Sequence, residues 1–192
     1  MHKEKITELI NNSIETKKTL PVHDIQRAIE IIIKSYTTGG KILVCGNGGS
    51  AADAQHMSGE FLNRFKIERA PWPCIALTTD TSTITAIGND YSFDDVFSKQ
   101  VEAHGKEGDI FIGISTSGKS KNVIKAVESA KRKKMISIGI LGNDGGYLGK
   151  LCDLSIIVNS KDTPRIQESH TLIMHIICEI VEKELVNLKF SI

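Results

Sequence analysis

His56 and Glu60 stand four residues apart behind a glycine turn, in the run Cys45-Gly46-Asn47-Gly48-Gly49-Ser50-Ala51-Ala52-Asp53-Ala54-Gln55-His56-Met57-Ser58-Gly59-Glu60. At 3.6 residues per turn this spacing stacks an imidazole and a carboxylate on one helical face, the material of an acid/base or metal pair. A second run, Gly113-Ile114-Ser115-Thr116-Ser117-Gly118-Lys119-Ser120, places hydroxyls and glycines where a strand should give way to a helix. Hydroxyls and free backbone N–H groups at a helix N-terminus cradle a phosphate, helped by the positive end of the macrodipole. Ser120 alone would suffice as a cap, and Ser115, Thr116 and Ser117 exceed that need. A third cluster, Asp162-Thr163-Pro164-Arg165-Ile166-Gln167-Glu168-Ser169-His170, precedes His175 on one expected helix. Gln167 and His175 lie about 80° apart around its axis and about 12 Å along it, so they share a face but strain to reach a single ion.

The elements that must position these groups are legible as short apolar runs alternating with helical patterns. Strands are expected at Lys41 to Cys45, Cys74 to Thr78, Asp109 to Ser115, Met135 to Leu141 and Leu154 to Val158. Their near-continuous apolarity predicts cover on both faces, hence an α/β, doubly wound parallel sheet of five strands flanked by helices. Helices are expected before the first strand, after Ser50, at Phe93 to Ala103, at Ser120 to Lys133 and at about Pro164 to Val186, with Pro21 interrupting an N-terminal helical arm. The last helix is apolar on most of its circumference and calls for either a central core position or a subunit interface. One domain over residues 1–192 is expected, with 1–38 as an arm used in oligomerisation.

Composition narrows the function classes. Lys and Arg number 24 against 23 Asp and Glu, a net charge of +1, so no broad field invites nucleic acid or an anionic membrane, and any anion must be caught locally. The four cysteines, Cys45, Cys74, Cys152 and Cys178, are spread apart and show no metal-type pairing; they read as reduced fillers in a cytoplasmic protein. No run approaches the ~20 apolar residues of a membrane span. The Gly46 to Ala51 turn also fits a dinucleotide fingerprint, but Glu68 lies before the second strand and Asp80 is too distant to hold a ribose.

The segments Gly46 to His56, Leu77-Thr78-Thr79-Asp80-Thr81-Ser82, Ala86-Ile87-Gly88-Asn89-Asp90-Tyr91, Ser115-Thr116-Ser117-Gly118 and Thr163-Pro164-Arg165-Ile166-Gln167-Glu168 together resemble the phosphoheptose isomerase family. The resemblance runs in order over nearly the whole chain. It implies the sugar isomerase (SIS) fold and interconversion of sedoheptulose 7-phosphate with D-glycero-D-manno-heptose 7-phosphate, the first step of nucleotide-activated heptose synthesis for lipopolysaccharide or capsule. It further implies one zinc ion held by His56, Glu60, Gln167 and His175, with Glu60 and His175 as the acid/base pair. Substrate contacts are implied for Asn47, Gly48, Gly49, Glu60, Asn89, Asp90, Ser115, Thr116, Ser117, Ser120 and Gln167. A homotetramer with sites built from more than one subunit is also implied, which eases the reach asked of Gln167. The residue types suit the reaction, since aldose–ketose isomerisation through an enediol needs a base beside carbon and an acid for the oxygens. A non-catalytic SIS protein that senses sugar phosphates or binds a replication initiator is the alternative, and such a module has no use for the four-residue set.

Overall fold

The Ile-, Leu- and Val-rich runs become β1 (Ile42–Gly46), β2 (Cys74–Ala76), β3 (Ile110–Ser115), β4 (Ile136–Gly142) and β5 (Leu154–Val158). The computed structural model describes residues 2–188, and the outermost residues of the expected domain, 1 and 189–192, lie outside the described residues. All five strands pair in parallel in the order β2-β1-β3-β4-β5. Side chains alternate between two buried layers: Ile42 and Val44 face one and Leu43 and Cys45 the other, so both sheet faces are covered as their continuous apolarity requires.

Helices α2 (Val22–Thr37), α3 (Gly49–Leu62) and α8 (Thr163–Asn187) close the first face, through residues such as Ile32, Met57 and Ile173. The second face is closed by α4 (Thr81–Asp90), α5 (Ser98–His104), α6 (Lys121–Arg132) and α7 (Leu148–Leu151), through Ile84, Val101, Val123 and Leu148. The arm helix α1 (His2–Lys18) buries no residue and lies along α8, where Arg165 Nη1 donates to the Leu9 carbonyl and the Ser13 hydroxyl to Glu168. Pro21 stands at the start of α2, where its missing N–H costs nothing.

Two departures from expectation have physical causes. The helix expected at Phe93 to Ala103 is a 3₁₀ turn (Phe93–Asp95) followed by α5, because Ser92 caps the turn by accepting from the Asp94 N–H. Helix α4 escapes apolar periodicity altogether, since it is rich in Thr and has no buried residue; its cap, Asp80 accepting from the Thr83 N–H, is its only strong local signal. The chain leaves β1 toward β2 on one side and returns to β3 on the other. The crevice above the C-terminal ends of β1 and β3, where Gly46 pairs with Ile114, is the place where such sheets bind ligands.

Candidate active site

Helices α3 and α8 run side by side in the same direction, and three contacts mark them off a turn at a time. Gln167 lies so close over Gly49 that a Cβ there would stand 2.6 Å from its Nε2. Thr171 Oγ1 donates to Asp53 Oδ1 at 2.9 Å, and His175 Nε2 stands 3.5 Å from His56 Nε2. Glycine at position 49 permits the approach at one end, and the imidazoles meet at the other.

There His56 Nε2 lies 2.9 Å from Glu60 Oε1, and the two imidazole rings meet edge to face with centroids 4.9 Å apart. Ligand atoms of His56, Glu60 and His175 all fall within 4.8 Å of one another. Two imidazole nitrogens and a carboxylate oxygen are a donor set suited to zinc. Ligands at about 2.0–2.1 Å from a tetrahedral ion stand about 3.3 Å apart. Two of the three spacings bracket that value and the third lies within 4.8 Å, so the residues present fit a metal ion. The fourth implied ligand, Gln167, is about 12 Å away along the α8 axis; within one chain it belongs to the Gly49 end of the helix pair and not to the His–Glu cluster.

The second loop closes on itself. Ser115, buried at the end of β3, accepts from the Gly118 N–H and stands 3.1 Å from the Ser120 hydroxyl. Ser120 occupies the N-cap position of α6 but makes no side-chain cap bond, so its hydroxyl serves the loop. Ser117 accepts from the Lys119 N–H, while the Thr116 carbonyl accepts from Asn143. Gly118 has φ +64, and a Cβ on it would stand 2.0 Å from the Gly145 carbonyl oxygen. Asn47 and Asn122 exchange amide hydrogen bonds of 2.9 and 2.8 Å, tying the Gly46–Gly49 turn to the first turn of α6. The Asn47–Asn122 bonds and the Gly49–Gln167 approach, each joined to the next by a residue or two of chain, thus link Ser120 to Gln167.

Asn89 and Asp90 bond each other at 2.8 Å on the exposed end of α4, and no described contact brings them to either loop or to the His–Glu cluster. Sequence reasoning missed Asn122, although an amide in the first turn behind a phosphate-type loop is a usable signal. It also missed Phe65, whose ring lies 5.6 Å from that of His175 and which no periodicity marks. Cys45 ends up buried beneath the glycine turn, where burial pushes its thiol well above the ordinary range; it fills space and is no nucleophile.

This fold and crevice define a SIS domain, and the SIS domain family matches residues 3–142. The phosphoheptose isomerase of Clostridium acetobutylicum is 52% identical over 181 residues, 92% of each chain, and phosphoheptose isomerase 2 of Campylobacter jejuni is 58% identical over 87% of this chain and 83% of its own. The solved structure of the phosphoheptose isomerase from Neisseria gonorrhoeae superposes with a TM-score of 0.89 at 42% identity, covering 95% of this chain and 100% of that one. The chain belongs to the phosphoheptose isomerase family of isomerases.

Proposed function

We propose that the protein interconverts sedoheptulose 7-phosphate and D-glycero-D-manno-heptose 7-phosphate through an enediol. The observation that carries this reading is the meeting of His56, Glu60 and His175 at one end of a helix pair whose other end abuts the hydroxyl-lined loop. Gly49 and His56 are about 10 Å apart along α3, on the scale of an open-chain heptose. The Ser115, Thr116, Ser117 and Ser120 groups hold the tail phosphate against the N-terminus of α6, and that remote binding energy positions the reacting end. Asn47, Gly48, Gly49 and Gln167 line the path between, whereas Asn89 and Asp90, which no described contact brings to this path within one chain, are assigned to the sugar on the family resemblance alone.

Glu60 takes the proton from one of C1 and C2 and returns it to the other, while His175 delivers and recovers protons at O1 and O2. A zinc ion held by His56, Glu60 and His175, with Gln167 supplied by a second subunit as the fourth ligand, would polarise the carbonyl and stabilise negative charge on the enediolate. A non-catalytic sugar-phosphate sensor has no need of that convergence of acid, base and metal ligands.

The working unit on this reading is a homotetramer of single domains spanning 1–192. Its support is the arm: Ile6, Leu9, Ile10 and Ile14 form an exposed apolar stripe on α1, the kind of surface a second subunit covers. Four unbridged cysteines, three of them buried, suit the cytoplasm, and heptose made there would enter lipopolysaccharide or capsule synthesis. Among the described residues no helix is long and apolar enough to cross a membrane.

The test is incubation of the purified protein with sedoheptulose 7-phosphate, watched by NMR for a new aldose phosphate. Product should form, cease after chelation and return with added zinc. Failure under every metal condition, with sugar phosphate still bound, would favour the sensor instead.

A further inference from the structure

Glu182, on α8 two turns beyond His175, is a charged side chain with only 1% of its surface exposed, and no step of the reaction uses it. Its carboxylate is saturated. Oε1 accepts from the Phe65 N–H at 2.8 Å and from Arg69 Nε at 3.0 Å, and Oε2 accepts from the N–H groups of Lys66 at 2.7 Å and Ile67 at 2.9 Å. Burial pushes this carboxyl up, but the three backbone N–H groups and the guanidinium outweigh it, leaving the group below the usual carboxylate range and charged.

Arg69 carries the connection onward. Its Nη2 donates to the carbonyl of Glu60 at 2.9 Å, and its Nη1 to those of Phe61, Asn63 and Ala70 at 2.9 to 3.0 Å. The carbonyls of Glu60 and Phe61 are among those left without an intrahelical partner at the end of α3, where a cation also complements the dipole. The guanidinium is 3.8 Å from the centroid of the buried Trp72 ring, which fixes its plane. The same loop lays the Phe65 ring against His175. One buried knot therefore holds the backbone of Glu60, the ring that abuts His175, and the helix that carries His175.

We infer that Glu182 and Arg69 are positioning residues for proton transfer, fixing the junction that aligns Glu60 on α3 with His175 on α8. This rests on the isomerase reading above. Misplacement by about 1 Å through a residue remote from the chemistry costs about a hundredfold in rate, whereas the phosphate loop lies elsewhere and its affinity is untouched.

The test compares steady-state turnover of sedoheptulose 7-phosphate by zinc-loaded wild-type protein, Glu182→Gln, Phe65→Ala and Glu179→Gln, each rate taken per folded molecule well below its melting temperature. Wild-type turnover first secures the isomerase reading independently. Glu182→Gln turns one acceptor into a donor facing backbone N–H groups; kcat should then fall about ten- to a hundredfold with KM changed less than about threefold. Phe65→Ala leaves the knot's backbone bonds in place, so it decides the matter if Glu182→Gln does not fold; its kcat should fall with little change in melting temperature. Glu179→Gln, which breaks only the exposed Lys66–Glu179 pair, should match wild type. A Glu182→Gln or Phe65→Ala protein with wild-type kcat per folded molecule, whatever its melting temperature, would overturn the inference, because a merely structural knot changes how much protein folds and not how fast each folded molecule works.

Discussion

The Ser115–Ser120 loop spends its hydroxyls on one another and on its own backbone, and it is locked from behind where Gly118 touches Gly145 and Asn122 meets Asn47. His56, Glu60 and His175 meet through side-chain tips alone, on two helices, with the His56 side chain 46% exposed. The first region is thus a rigid receptor whose shape is backbone geometry. The second is a set of donors whose alignment depends on how the helices beneath them are held. Affinity should live in the one and rate in the other.

The sharpest way to break that division is Glu60→Gln. It preserves shape and removes the base, so kcat should drop by about 10²- to 10⁴-fold while sugar-phosphate binding, followed by calorimetry, stays near wild type. Wild-type-like turnover would take the base away from Glu60. Gly118→Ala probes the other region, since its Cβ collides with backbone at a residue of φ +64. Strain of about 1–3 kcal/mol should raise KM roughly 5- to 150-fold and leave kcat at saturation closer to wild type; an unchanged KM would show that the loop is not the phosphate receptor.

The smallest effect concerns a buried histidine on α8 near Leu141 and Asp53. His170 is 1% exposed, neither ring nitrogen has a hydrogen-bond partner among the described residues, and burial lowers its pKa against the weaker opposing pull of the Leu141 carbonyl and Asp53. The unfolded chain therefore takes up this proton first as pH falls. The loss of stability begins near the unfolded value of about 6.5 and continues until the ring protonates in the folded state. Melting temperatures at pH 7.5 and 5.5 should fall further for wild type than for His170→Leu. Equal falls would mean that His170 is not the group concerned.

The five strands were readable because residues such as Ile110, Phe111 and Ile112 are buried on both sides of a sheet, which leaves an unbroken apolar run. Likewise, His56 and Glu60 announce themselves through a spacing that any helix converts into proximity. The arrival of His175 beside them could not be read from periodicity, because it depends on α8 lying parallel to α3 at one register. That register is set by a glycine, a threonine–aspartate contact and the buried Glu182. Helix α4 stayed hidden for a simpler reason: a helix whose only half-buried apolar side chains are Ile84 and Ile87 writes too short an apolar stripe to read, and only Asp80 betrays its start.

The cluster joins side chains 119 positions apart in the chain. The carriers of Glu60 and of the phosphate loop leave the ribosome well before α8 is made, and until then the first core layer lacks the side chains α8 contributes. Competence arrives only when the last long helix docks, because the helix that delivers His175 is also the one whose Ile166, Ile173, Ile177 and Val181 finish the first core layer, so folding and catalytic assembly are completed by the same event.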